Sequence, residues 1–153
     1  MCCYSARRSA IGPIRKAQFV IPQVQDEIEE LGRRYRFLLD TREVTQTPAW
    51  SKTKLALGPN QRALYLECMH YSDNAGFQFE TRWIMTDGEP STLEANFSDE
   101  APSEWLVHIT PFTDLEISFS TSKTDQTTAE SLDAKPGDPI FTAQRGSDTS
   151  SRD

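Results

Sequence analysis

Two neighbouring runs of β-forming residues, separated by a short cluster of turn formers, constrain the fold of this 153-residue chain more than any other feature. Residues 62–71 (RALYLECMHY) and 77–84 (FQFETRWI) are rich in strand formers, and residues 72–76 (SDNAG) favour a reversal of the chain. The two runs therefore predict an antiparallel hairpin. One face of the first strand carries Leu64, Leu66, Cys68 and His70, and one face of the second carries Gln78, Glu80, Arg82 and Ile84. Because a one-residue slip inverts the pairing, the sequence leaves open which faces coincide.

The rest of the chain alternates between helical and strand periodicity. The spacing of Val24, Ile28 and Leu31 predicts a helix that ends at Gly32, and residues 33–45 then alternate as a strand. The sequence further predicts a helix that starts at Thr47-Pro48 and runs through Trp50 and Leu55 to Gly58-Pro59, followed by an acidic surface connection over 86–101. It then predicts a helix beginning near Ser103, a strand at 114–121, a helix at 127–134 and a strand at 140–143. This order indicates an α+β domain, in which helices flank an antiparallel sheet.

The two ends of the chain differ in composition from its middle. Residues 1–16 are basic and lack a periodic apolar pattern, and residues 146–153 (GSDTSSRD) contain no apolar side chain. We therefore expect a linker or disordered segment at 1–16, one folded domain at 17–145, and a disordered tail at 146–153.

The charge and cysteine content restrict the classes of partner and compartment. The net charge of −7 makes direct, tight binding to a phosphate backbone unfavourable, so this chain is not expected to bind DNA by itself. Its three cysteines do not suggest a disulfide framework, and no apolar run is long enough to cross a membrane. Since no secretory signal is recognisable either, we expect a cytoplasmic protein.

Motifs for catalysis or metal binding are not evident in the sequence. It contains no glycine-rich phosphate loop, nucleophile elbow or zinc-ligand pair, and neither His70 nor His108 has a partner at metal-ligand spacing. We therefore predict no catalytic residues, no metal and no cofactor. Glu80 and Arg82 lie two positions apart on one strand face, which suits a polar or zwitterionic ligand; the alternative is an exposed ion pair on a solvated sheet.

Four segments, in order, resemble the UTRA effector-binding domain of GntR-type transcription regulators, in the branch that contains histidine-utilisation repressors. They are IPQVQDEIEELG, LALGPNQRALYLECMHYSDNAGFQFETRWI, APSEWLVHITPFTDLEISFS and ESLDAKPGDPIFTAQR. The resemblance covers about residues 18–145. It implies a chorismate-lyase-like fold, with an effector pocket between the sheet and the helices.

The resemblance also implies where an effector would bind. It places ligand contacts on the hairpin, at the start of the later helix and on the next strand, at His70, Glu80, Arg82, Ser103, Trp105, Glu116 and Ser118. Family members that sense sugar phosphates carry arginines on the first hairpin strand, where this chain has Cys68 and His70. We therefore expect a carboxylate with an aromatic or imidazole part, such as urocanate. Arg82 would pair with the carboxylate, His70 and Glu80 would orient the ring, and Trp105 would pack on its face.

The resemblance implies partners as well. The first 16 residues are too few for the winged helix-turn-helix of the family, so contact with DNA is expected only indirectly, through a module not present in this chain. A homodimer is expected, because it could cover an open sheet edge. Three alternatives stay open: a chorismate-lyase-like enzyme, a truncated regulator fragment without activity, and a plain interaction module with Glu80 and Arg82 on its surface.

Overall fold

A computed structural model describes residues 23–49, 61–86, 90–109 and 114–148 of the chain. In chain order its elements are α1 (Val24–Glu30), β1 (Tyr35–Gln46), β2 (Arg62–Ser72), β3 (Ala75–Met85), a 3₁₀ helix (Pro90–Leu93), α2 (Pro102–Ile109), β4 (Asp114–Lys123), α3 (Gln126–Ser131) and β5 (Pro139–Asp148). This order confirms the predicted α+β class with antiparallel strands. The helix predicted through Trp50 and Leu55 lies outside the described residues.

The described strands form two antiparallel sheets, whereas the sequence analysis predicted one. The larger sheet has the order β1-β2-β3, so β2 is its central strand, and β4 pairs with β5 in a separate two-stranded ribbon. Because β2 is the central strand, both of its faces are covered at several positions, which explains why it is rich in apolar residues. The neighbours Ala63 and Leu64, which point to opposite faces, are both fully buried.

The β2–β3 hairpin closes more tightly than its turn-forming cluster suggests. Only Asp73 and Asn74 lie between the paired residues Ser72 and Ala75, and Asp73 adopts a left-handed φ of 55°. The register then places Leu64 opposite Ile84, Leu66 opposite Arg82, Cys68 opposite Glu80, and His70 opposite Gln78. The two faces that the sequence left unassigned therefore coincide, and their shared side carries the fully buried Leu64, Leu66, Cys68 and His70 of β2.

The core lies between this face and the segment that follows β3. Leu64, Leu66 and Ile84 pack against Phe97, and Trp105 from α2 packs against the same cluster. The prediction of a surface connection over residues 86–101 was wrong for Phe97, which is 1% exposed. The acidic and turn-forming residues around Phe97 suggested a solvated loop, but Phe97 packs into the core, and Thr92 and Ala101 of the same segment are fully buried as well.

The predicted end of α1 at Gly32 is confirmed, whereas α3 spans Gln126–Ser131 rather than residues 127–134, and one strand is longer than expected. Gly32 follows α1 with a φ of 71°, and the side chain of Asp125 caps α3 by accepting a 2.7 Å hydrogen bond from the backbone N–H of Thr128. β5 continues past Ala143 to Asp148 and so includes residues at the start of the expected tail. Backbone pairing with β4, rather than apolar side chains, holds this extension. None of the helices in the described ranges is long and apolar enough to cross a membrane.

Candidate functional site

Three of the residues predicted for the site are joined in one hydrogen-bonded network on the core side of the sheet. His70 on β2 contacts Glu80 on β3, and Glu80 contacts Arg82 on the same strand. A fourth residue, Tyr35 at the start of β1, contacts the opposite side of the imidazole ring. The network therefore crosses all three strands, in the order Tyr35, His70, Glu80, Arg82.

The Glu80–Arg82 pair forms the end of the network that reaches solvent. Nε and Nη2 of Arg82 both lie 2.6 Å from Oε1 of Glu80. The side chain of Arg82 is 25% exposed and that of Glu80 is 12% exposed. The two residues lie on the same strand face because they are two positions apart. The ion pair is thus partly buried, which contradicts the alternative of an open pair on a solvated sheet.

His70 forms the buried end of the network together with Tyr35. Its Nε2 lies 3.1 Å from Oε2 of Glu80, its Nδ1 lies 3.0 Å from the hydroxyl of Tyr35, and its side chain is 0% exposed. Because a carboxylate only accepts hydrogen bonds, Nε2–H donates to Oε2 of Glu80, and Nδ1 is hydrogen-bonded to the Tyr35 hydroxyl. Both ring nitrogens are therefore satisfied within the protein.

The pKa values of the network follow from this geometry. Burial raises the pKa of Glu80, but the charge of Arg82 and the hydrogen bonds from His70 and Arg82 outweigh it and hold that pKa at about 2. Burial, with the nearby carboxylates Glu104 and Glu80, raises the pKa of Tyr35. Burial also raises the pKa of the Cys68 thiol to about 12, so this cysteine stays protonated. At neutral pH the Glu80 carboxylate is therefore ionised beside the Arg82 guanidinium.

The local sequence explains how Tyr35 reaches the site. In the β1–β2 register Phe37 lies opposite His70, so Tyr35 shares the face of the imidazole ring. The Tyr35 and Phe37 rings lie 5.9 Å and 6.4 Å from that ring, measured between centroids. The sequence analysis did not predict Tyr35 as a site residue. Its alternation with Phe37 and Leu39 is equally typical of a strand whose aromatic side chains simply pack in the core. Only the β1–β2 register indicates its partner.

The two site residues predicted on α2 lie in its first turn. Trp105 packs edge-to-face on Phe97, with ring centroids 5.5 Å apart and an interplanar angle of 87°. Ser103 is partly buried beside it. Their neighbour Glu104 interacts electrostatically with Tyr35 and His70, and its pKa is raised by burial and by the charge of Glu100. The side of α2 that bears Glu104 therefore lies within electrostatic range of the buried end of the network.

A cleft of about 240 Å³ lies between α1 and α2. None of the residues predicted for the site lines it; the lining consists of Gln23, Gln25, Asp26, Glu104, Val107 and His108. The cleft is lined mainly by polar residues and carries the carboxylates of Asp26 and Glu104. It would therefore repel an anionic ligand, whereas the Arg82 end of the network would attract one.

The side chain of Glu116 on β4 lies outside the described residues, and the described contacts do not join Ser118 to the network. Ser118 is exposed on the ribbon opposite Gln144, and Glu116 pairs with Gly146 in the β4–β5 register. In the described part of the chain, no hydrogen bond or ion pair joins Ser118 to His70, Glu80 or Arg82. The described residues also contain no cluster of three or more histidine, cysteine or carboxylate side chains arranged to hold a metal ion.

Comparison with known sequences identifies a family and two related repressors. The model of the UTRA domain family matches residues 30–149. The chain is 24% identical, over 133 residues, to the histidine utilization repressors of Pseudomonas aeruginosa and Pseudomonas putida. The match covers 86% of this chain but only 52% and 53% of those two proteins. The chain thus spans about half the length of the curated relatives it matches.

Comparison with solved structures supports the same fold. The C-terminal domain of the histidine utilization repressor from Pseudomonas syringae superposes with a TM-score of 0.70 at 17% identity, covering 76% of this chain and 82% of that one. The effector domain of PhnF from Mycobacterium smegmatis gives a TM-score of 0.71 at 17% identity, covering 82% and 78%. At this identity the similarity establishes the architecture alone.

Proposed function

The chain belongs to the UTRA domain family, and from this premise we propose that it binds a small carboxylate metabolite as the effector domain of a GntR-type transcription regulator. The family resemblance inferred from the sequence is thereby confirmed. We propose further that the effector combines its carboxylate with an aromatic or imidazole part, as urocanate does. The observation that carries this proposal is the network from Tyr35 to Arg82, which ends in a partly exposed guanidinium.

Arg82 has the capacity to bind a second carboxylate. A guanidinium carries five N–H groups in a planar fork, and only Nε and Nη2 of Arg82 lie against Glu80. Within the described ranges, Nη1 has no hydrogen-bond acceptor. Because Glu80 fixes one edge of the guanidinium, the remaining N–H groups are held in position for a ligand. Charge-assisted hydrogen bonds of this kind are among the stronger polar contacts in proteins.

The other predicted contacts receive distinct roles in this proposal. His70 has no exposed surface, so it supports the site by holding Glu80 rather than by offering a free ring nitrogen to the effector. Trp105 and Ser103 would contact the ring of the effector from α2. Glu116 and Ser118 remain proposed contacts from β4.

The output of such a domain would be regulatory. The curated relatives are named as repressors, and the present chain matches about half of each. We propose that effector binding favours one of two arrangements of the domain, and that any effect on DNA is exerted through a separate DNA-binding module. The acidic net charge of −7 supports an indirect role.

Thermal-shift measurements on the purified chain test the proposed effector class. Urocanate, imidazole-4-acetate, histidine and a sugar phosphate would be added separately to the wild type and to the variants Arg82→Gln and Arg62→Gln. We expect the imidazole carboxylates to raise the melting temperature of the wild type, because a ligand that binds only the folded state stabilises it. Arg62 is an exposed residue of β2 and serves as the matched control.

The outcomes separate the proposal from its alternatives. The shift should persist in Arg62→Gln and disappear in Arg82→Gln. A sugar phosphate that stabilises the wild type more than any carboxylate would contradict the proposed effector class.

We also propose that the chain is not an enzyme. Release of pyruvate from chorismate by the purified chain would show that this proposal is wrong.

A further inference from the structure

The cleft between α1 and α2 holds negative charge that no cation among the described residues offsets. Asp26 lies on α1 and Glu104 on α2, and both line the cleft. Across the ranges that the structure describes, neither carboxylate forms an ion pair with a lysine, an arginine or a histidine. The histidine of the lining, His108, is instead held 2.7 Å from Glu100. Two carboxylates without a counter-ion favour a ligand of opposite charge.

The pKa of Glu104 reflects this crowding of like charges. Burial raises it, and the charges of Glu100 and Asp26 raise it further, whereas His70 and the backbone N–H of Ala101 lower it. The carboxylates of Asp26 and Glu104 therefore repel each other across the cleft. A cation bound between them would relieve that repulsion.

The cleft also holds a hydrogen-bond acceptor that lacks a donor. The amide oxygen of Gln23, the residue that precedes α1, is buried and has no hydrogen-bond partner in the described part of the chain. Gln23 lines the cleft together with the two carboxylates. Because a buried acceptor without a partner is unfavourable, this oxygen favours a ligand that brings an N–H group.

The volume and the lining of the cleft restrict the kind of cation. Its volume of about 240 Å³ equals that of roughly eight water molecules, which is room for a small organic molecule rather than for a bare ion. An alkylammonium group carries three N–H donors, and the cleft offers acceptors on Asp26, Glu104 and Gln23. Val107, which is 40% exposed, adds an apolar surface for a short alkyl chain.

Structural roles account for the two carboxylates only in part. The carboxylate of Glu104 accepts a hydrogen bond from the backbone N–H of Ala101 at the start of α2, as a glutamate in the first turn of a helix commonly does. A carboxylate has about four acceptor positions, so this bond leaves capacity for a ligand. Asp26 lies in the first turn of α1, where the helix dipole favours a carboxylate, but the dipole does not require a second carboxylate to line the same cleft.

We propose that the cleft between α1 and α2 binds the primary ammonium group of a small organic amine. Asp26, Glu104 and the amide oxygen of Gln23 accept its N–H groups, and Val107 packs against its alkyl part. None of the effector contacts proposed around Arg82 lines this cleft. The inference therefore does not depend on which carboxylate, if any, the domain binds.

Calorimetric titration with n-butylammonium chloride tests this site. The wild-type chain should bind one n-butylammonium ion saturably, and Asp26→Asn and Glu104→Gln should each weaken binding by about tenfold or more. Glu30→Gln is the matched control, because it removes an exposed carboxylate of α1 that does not line the cleft, and it should bind like the wild type. Asp26 is exposed, so Asp26→Asn keeps the test decisive where Glu104→Gln disturbs the start of α2.

Tetramethylammonium separates an amine site from a general attraction of positive charge. It carries the same charge as n-butylammonium but has no N–H group, so it should bind at least about tenfold more weakly. Three results would overturn the proposal: no saturable binding of n-butylammonium by the wild type, equal affinity for tetramethylammonium, or equal affinity of Asp26→Asn and the wild type for n-butylammonium.

Discussion

Nε2 of His70 lies 3.1 Å from Oε2 of Glu80, and the imidazole ring has no solvent-exposed surface. This contact joins a fully buried aromatic side chain to a carboxylate that also holds a guanidinium at the edge of the core. Because the other ring nitrogen is bonded to Tyr35, the imidazole cannot reorient without breaking two hydrogen bonds. The position of Arg82 is therefore fixed from within the sheet.

The Glu80 carboxylate should make stability depend on pH in a defined direction. Its pKa falls from an ordinary value of 4.5 to about 2, so its contribution is fully present above pH 4.5 and is lost as the pH falls through about 2. We expect Glu80→Gln to lower the free energy of unfolding by roughly 2–3 kcal/mol at about pH 6, and by much less at about pH 2. Urea titrations at both pH values measure this.

The control for that experiment is Glu43→Gln, which changes an exposed glutamate on β1. Its effect should be small at both pH values, because an exposed carboxylate gains little from its surroundings. A cost of Glu80→Gln that stays constant between the two pH values would show that the carboxylate is not stabilised in its ionised form.

The Tyr35 hydroxyl should contribute to stability through His70. Tyr35→Phe removes the 3.0 Å hydrogen bond to Nδ1 and leaves a buried ring nitrogen without a partner, so we expect a loss of about 1–2 kcal/mol in chemical denaturation. Tyr71→Phe is the matched control. The ring of Tyr71 lies 4.0 Å from the Arg36 guanidinium, a contact that phenylalanine preserves. Equal effects of the two substitutions would contradict the assigned role of the Tyr35 hydroxyl.

Gly76 lies where the hairpin packs tightly against the α3 region. A Cβ atom at this position would lie 2.7 Å from Cε of Met69 and 2.7 Å from the backbone oxygen of Ser131. The methionine can move, but the backbone cannot, so Gly76→Ala should destabilise the fold by about 1–3 kcal/mol. Gly146→Ala meets nothing within 4 Å and should be close to neutral. Comparison of the two melting temperatures checks the packing of α3 on β3.

Phe97 should be among the most costly core positions. It is 1% exposed and packs on Leu64, Leu66 and Ile84, so its truncation to alanine leaves a cavity and is expected to cost about 3–5 kcal/mol. Phe77→Ala, at a 40% exposed position on β3, should cost far less. Similar denaturation midpoints for the two variants would show that residues 86–101 do not close the core.

The sequence allowed the hairpin and most element boundaries to be predicted because their signals are local. Alternation, turn formers and glycine positions specify β2, β3 and the end of α1 within a few residues. The inward position of Phe97 could not be predicted, because one aromatic residue in an acidic segment has no periodicity. The division of the strands into two sheets depends on long-range pairing, which no local pattern encodes.

The candidate site was predicted only in part, because some of its contacts are local in sequence and others depend on long-range strand pairing. Glu80 and Arg82 could be placed together because they share a strand face two residues apart. Their contact with His70 required the hairpin register, which the two-residue turn sets. Tyr35 comes from a strand that lies 35 residues before His70 in sequence, and its role became visible only with the β1–β2 pairing. Contacts from Glu116 and Ser118 stay predictions.

Calorimetric titration of urocanate into the wild type, Arg82→Gln and Arg62→Gln tests the central claim most directly. If a carboxylate effector binds at the guanidinium held by Glu80, the wild type and Arg62→Gln should bind one molecule per chain with equal affinity. Arg82→Gln should bind at least about tenfold more weakly, the loss expected for a charge-assisted pair. Equal affinity of the wild type and Arg82→Gln for urocanate would contradict the proposed site.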